Sequence, residues 1–206
     1  LTDVQGESEF RIKFTYAGDF FYWVLDDIAL VRRPNNDLRI QTNFYALPPN
    51  VSTPASQITA IPFWADVLNV GGQPQSGVQL DLTIVEDSTN QVVVEDAILY
   101  GSLATDSLAE NVAFAKMFTP PGIPESYRGT YFLFSDSTDQ NPVNNVVNFR
   151  FEVSDTTFAK ESGATRSVAP STTPNFTYGN VFYCPHGENW YARYLTFGVA
   201  NASELL

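Results

Sequence analysis

Cys184 and His186 are the only cysteine and the only histidine in the chain, two residues apart in Cys184-Pro185-His186-Gly187-Glu188. A thiol beside an imidazole can serve as nucleophile and base, or supply half of a zinc site. The spacing suits neither. Two residues on one short loop meet in poor geometry, and no third group orients the imidazole. The pair is expected to lie in a loop joining two strands. No Gly-rich phosphate loop, Gly-x-Ser-x-Gly elbow or His-Glu-x-x-His helix occurs. Carboxylate pairs exist, but nothing ties any two to a cleft, so glycoside hydrolysis has no support. The expectation is a chain that is not an enzyme.

Oxygen-rich groups offer cation binding instead. Asp136, Asp139, Asn141 and Asn144 crowd one loop. That loop lacks the glycine and the terminal glutamate of an EF-hand, which favours a hairpin loop with Asx turns over a Ca2+ site. Asp26-Asp27 interrupts an otherwise apolar stretch, where an unpaired carboxylate is costly to bury. A bulge or a strand end open to water would accommodate it. Trp190, Tyr191 and Tyr194, with Phe182 and Tyr183, form an aromatic group able to stack on pyranose faces. The competing reading, that alternate members face a core, is favoured. Asn50-Val51-Ser52, Asn175-Phe176-Thr177 and Asn201-Ala202-Ser203 match N-glycosylation acceptors, a triplet frequent by chance.

The elements that would position these groups centre on residues 127–153. Arg128-Gly129-Thr130 reads as a turn, followed by a dense strand, Tyr131-Phe132-Leu133-Phe134. After a polar loop, Val147, Phe149, Phe151 and Val153 alternate with Asn148, Arg150 and Glu152. Such alternation marks a strand with one buried face. An isolated hairpin is marginal in water, so a second sheet must cover that face. Between residues 37 and 159 the strand signals recur at intervals matching a seven-stranded Ig-like sandwich. The expected strands are 38–45, 58–70, 78–85, 91–99, 111–118, 130–134 and 146–153, separated by Gly71-Gly72-Gln73-Pro74, Asp87-Ser88-Thr89-Asn90 and residues 120–124.

Outside that span, residues 10–16 and 20–31 read as two strands around Ala17-Gly18-Asp19, and Arg32 to Asn36 as a connector. Residues 160–177 are rich in Ser, Thr and Pro and read as a linker. Two further strands are expected at 178–183 and 191–199. The expected organisation is therefore 1–34, the end of a jelly-roll sandwich; 37–159, the Ig-like sandwich; 160–177, a linker; and 178–206, the start of another sandwich.

Composition bounds the rest. The chain has 206 residues, with 16 Phe, 10 Tyr and 3 Trp as core material. Its formal net charge is -12, which opposes nucleic acid and anionic membrane surfaces as partners. A single cysteine allows no internal disulfide. No apolar run approaches the roughly 20 residues of a membrane helix. The chain opens at Leu1, shows no signal-peptide pattern and has Met117 as its only methionine. It is expected to be a processed product or a fragment.

Three segments together resemble one family. Trp23-Val24-Leu25-Asp26-Asp27-Ile28-Ala29-Leu30 resembles the final strand of MAM-like or cleaved-adhesin jelly rolls of bacterial surface proteins. Gly129-Thr130-Tyr131 with Asp136, Asp139, Asn144-Asn145 and 151–155 is similar to the Ig-like modules that follow them. Tyr178-Gly179-Asn180 resembles the opening of a further jelly roll. The arrangement is similar to large cargo of the type IX secretion route, although the flanking jelly rolls are incomplete and no C-terminal sorting domain is present. The resemblance implies a Ca2+ role for Asp26 and Asp27, and no organic cofactor. It also implies O-glycosylation at Asp-(Ser/Thr) sequences, matched here at Ser88, Ser107, Ser137 and Thr156.

The expected function is a non-enzymatic structural or adhesive module at the cell surface, a building block of a filament or surface layer. Its expected partners are other copies or domains of the same surface protein, joined by strand addition at residues 10–31 and 178–199, and glycans. The other readings are an accessory region of a secreted hydrolase and a carbohydrate-binding module.

Overall fold

The computed structural model describes residues 9, 11–15, 17, 18, 32–41, 48–160 and 180–195. The chain divides into two units, Leu1–Arg32 and Arg33–Leu206. In the first, residues 11–15 carry no strand, and Ile12 and Phe14 are exposed. The strand expected at 10–16 is thus not formed over its described residues. Alternation is a mark of a strand and does not by itself make one.

The second unit is an all-β sandwich, as the alternation predicts. Its strands are β1 (Leu38–Gln41), β2 (Ser52–Pro54), β3 (Asp66–Asn69), β4 (Gln75–Glu86), β5 (Val92–Leu103), β6 (Leu108–Ala109), β7 (Glu125–Phe134) and β8 (Val146–Ser154). The larger sheet runs β2-β8-β7-β4-β5 and the smaller β1-β3-β6. All pairs are antiparallel except β2 with β8. The central hairpin is as read: Tyr131 faces Val147 and Phe132 faces Val146 across the ladder. Val147, Phe149, Phe151 and Val153 are buried.

Aromatic rings fill the space between the sheets. Tyr127 stacks on Phe151 at 5.1 Å, Tyr131 lies 5.0 Å from Phe149, and Phe114 stacks on Tyr131 at 5.8 Å. Phe63, Leu38, Ile40 and Val67 close the core from the smaller sheet's side. Rings of this size dominate burial and interlock at offset or tilted angles.

Several local expectations change. Gly129 is not in a turn but inside β7, opposite Phe149. The Phe149 ring occupies the place where a Cβ would stand, so the glycine makes room across the strand pair. The strand expected at 111–118 is a strap held by single bridges, Trp64 to Ala113 and Ile61 to Phe118. The strand expected at 58–70 shrinks to β3. The strand expected from Leu38 shows Leu38–Gln41, and its residues 42–45 lie outside the described residues. Two short strands, β2 and β6, carry no periodic pattern in the sequence because three and two residues are too few to show one.

Candidate binding surface

The outward face of the larger sheet is built by the same alternation that fills the core. Register places Leu99, Gln79 and Phe134 in one row across it, and Ala97, Asp81, Phe132 and Val146 in the next. Leu99 is 75% exposed and Phe132 47%. Phe132 and Phe134 stack at 5.6 Å with 30° between their planes. Their rings therefore cover part of one another and stand as an apolar ridge. Gln79 Nε2 donates to Asp81 Oδ1 at 2.6 Å, fixing an acid beside the ridge.

The other end of the face is charged. Arg128 and Arg150 are direct partners across β7 and β8. Asp87, from the β4–β5 turn, separates these like charges, pairing with Arg128 at 2.5 Å and Arg150 at 3.2 Å. Arg128 also donates to Asn90 Oδ1 at 2.6 Å. In that turn Ser88 donates to Glu125, holding its carboxyl below the usual range.

The oxygen-rich loop is committed to donors of the protein. Asp139 Oδ2 accepts from the Leu38 N–H at 2.7 Å and from Asn145 Nδ2 at 3.1 Å, and its Oδ1 accepts from the Asn141 N–H at 2.7 Å. Asn144 donates to Asp37 at 3.0 Å. Asp136 accepts from Ser76 Oγ at 3.0 Å and lies against Gly77, whose φ of +60° forms part of a bulge in β4. The loop thus stitches the β7–β8 connection onto β1 and β4. Among the described residues no group of three or more His, Cys, Asp or Glu is placed to hold a metal. Asp26 and Asp27 lie outside the described residues.

Residues 180–195 form turns and irregular coil, so the strands expected at 178–183 and 191–199 are not formed over their described residues. Gln57, a residue the sequence did not single out, anchors this segment. Its buried side chain donates to His186 O at 2.9 Å and accepts from His186 N at 3.0 Å. Phe182 adds a tilted contact with Phe158 at 5.6 Å, and Lys160 Nζ lies 5.2 Å from the Phe182 ring centre. Cys184 is a free, exposed thiol. Trp190, Tyr191 and Tyr194 are 58%, 83% and 72% exposed, so they face water and not a core.

The hydroxyls singled out for sugars differ in access. Ser88 and Thr156 are exposed, while Ser107 and Ser137 are half-buried. Ser107 Oγ is bonded to Ala104 O at 2.6 Å. In the Asn50-Val51-Ser52 triplet, Ser52 is buried and donates to Thr157 O. Asn175 and Asn201 lie outside the described residues.

The signal for the apolar ridge was present in the sequence. Four consecutive bulky residues, 131–134, in a strand with one dry face oblige two of them to face outward.

No helix among the described residues is long and apolar enough to cross a membrane. No family model matches the chain, and no curated protein does. Among solved structures it is similar to the CARDB domain of a Pyrococcus furiosus protein, crystallised with di-metal ions. Identity is 16% and the TM-score 0.38, over 66% of this chain and 100% of that one. The solution NMR structure of that domain shows the same identity and TM-score over 61% of this chain and 100% of that one.

Proposed function

We propose that this chain is a non-enzymatic structural and adhesive module of a bacterial surface protein, working outside the cell as a building block of a surface layer or filament. The observation that carries this reading is the apolar ridge of Phe132, Phe134 and Val146, held on the paired strands β4, β7 and β8. Exposed apolar groups fixed on rigid strands mark contact surfaces. Because the two Phe rings cover each other, the ridge suits packing into another protein module of the same surface assembly. Beads coated with the polypeptide are expected to cluster, and Phe132→Asp with Val146→Asp to weaken clustering about tenfold or more. Uncoated-level clustering by the unaltered polypeptide, or turnover of any substrate by it, would remove the reading.

A second reading, a carbohydrate-binding accessory region of a secreted hydrolase, is favoured by the exposure of Trp190, Tyr191 and Tyr194. A glycan array probed with the polypeptide and with Trp190→Ala, Tyr191→Ala separates it from the first. On the same reading, Asp26 and Asp27 bind Ca2+, and Ser88, Ser107, Ser137 and Thr156 carry O-glycans. Calorimetry with Ca2+ and chelator tests the cation, and intact mass tests the sugars.

A further inference from the structure

The sandwich has one long open edge among its described strands. The outer strands of the two sheets are β1, β2, β5 and β6. Three of them are short, at four, three and two residues, whereas β5 has twelve. A long edge strand presents unpaired N–H and C=O groups to any incoming strand. β5 adds exposed Val92, Val93 and Leu99, which make such pairing more favourable.

The middle of this edge is closed by two side chains. Lys116 Nζ donates to Glu95 O at 2.6 Å, and Asp96 Oδ1 accepts from the Ala97 N–H at 2.9 Å. The second oxygen of Asp96 accepts from the Lys116 N–H at 2.7 Å, tying the strap to the strand. Glu95 and Ala97 are two residues apart, so their backbone groups point to the same side of the strand. That side is the one away from β4, where the strap lies. Lys116 is held at this position from both directions. Phe114 is buried against Tyr131, and Phe118 packs edge-on against Tyr127 at 5.1 Å.

We infer that Asp96 and Lys116 form an edge guard, keeping a second copy of this chain from adding its own β5 to this sheet. The guard occupies one outward C=O, that of Glu95, and one outward N–H, that of Ala97, in the middle of the strand, where an incoming ladder would have to run. In the antiparallel register that sets Glu95 opposite its own copy, two β5 strands would also bring like charges together. This inference concerns the edge and is independent of contacts made by the sheet's outward face.

The test uses the full chain carrying Phe132→Asp and Val146→Asp, so that the ridge on the outward face is weakened in parent and variants alike. By amide hydrogen exchange, the Ala97 N–H is expected to exchange about fivefold more slowly than that of Leu99, which lies two residues on along the same side. Adding Asp96→Ala and Lys116→Ala is expected to abolish that protection and to give dimers and larger species by sedimentation. A further Leu99→Pro, which removes one outward N–H and is tolerated at an edge, is expected to restore the smaller species. If the double variant does not fold, Lys116→Met alone, which frees Glu95 O and leaves Asp96 on the Ala97 and Lys116 N–H groups, is read by sedimentation, with larger species again expected. Fast exchange at Ala97 in the parent overturns the inference. So does a folded variant that keeps the parent's size at high concentration, or association that persists with Leu99→Pro.

Discussion

Gly129 and Asp139 carry weight through what they leave room for and what they accept. At Gly129 the absent Cβ is the space into which Phe149 settles. Gly129→Ala is therefore expected to cost about 1–3 kcal/mol by overpacking, read as a lower urea midpoint with an unchanged slope. Asp139 caps the Leu38 N–H at the start of β1. Asp139→Ala leaves that donor without its partner and is expected to cost about 1–3 kcal/mol, with Asp139→Asn milder because an acceptor remains. Equal stability of the two variants would contradict the cap. The reading of an oxygen-rich hairpin loop with Asx turns came from the missing EF-hand glycine and glutamate. Its partners on β1 were not visible, because they lie about a hundred residues away along the chain.

At the scale of the element, β7 and β8 show both the power and the limit of alternation. Burial of every second residue from Val147 to Val153 follows directly from the sequence pattern. The pairing of Arg128 opposite Arg150 does not, since it depends on register, which the pattern leaves free until the hairpin closes. Asp87 from a third element relieves that repulsion. Asp87→Ala is expected to lower stability by about 1 kcal/mol, since both arginines stay partly exposed, at 42% and 71%, and 1 M salt is expected to reduce the difference. A loss undiminished by salt would argue that Asp87 acts through packing.

For the whole molecule, the titrating groups set a window of stability. The Arg33 hydrogen bond holds the Asp106 carboxyl below its ordinary value of 3.8. A folded value lowered in this way contributes stability that is present above 3.8 and lost as pH falls through the lowered value. On the alkaline side, burial, and then the charge of Asp66, push the Tyr100 hydroxyl up to about 12, and burial raises Tyr131 as well. Their contribution is complete below the ordinary value of 10.0 and is lost as pH rises through the raised values. Melting temperature is thus expected to fall on both flanks, with spectrophotometric titration showing tyrosines that ionise only on unfolding. Arg33→Met, which also removes the Arg33 Nε bond to Val70 O, is expected to lower melting at neutral pH and to keep only the part of that deficit due to Val70 in strong acid. A constant difference across that range would rule out the Asp106 pairing as its source.

Period-two alternation was enough to establish an all-β sandwich, its central hairpin and the buried face of β8. Those features depend on neighbours within a few residues, where the chain reports its own geometry. The strap at 111–118, the glycine inside β7, the guarded edge of β5 and the docking of residues 180–195 through Gln57 belong to the tertiary structure. Each depends on two groups far apart in the chain meeting after the sheets have closed. Local propensity carries no information about such distant partners, so packing alone decided whether those segments became strands, straps or anchored coil.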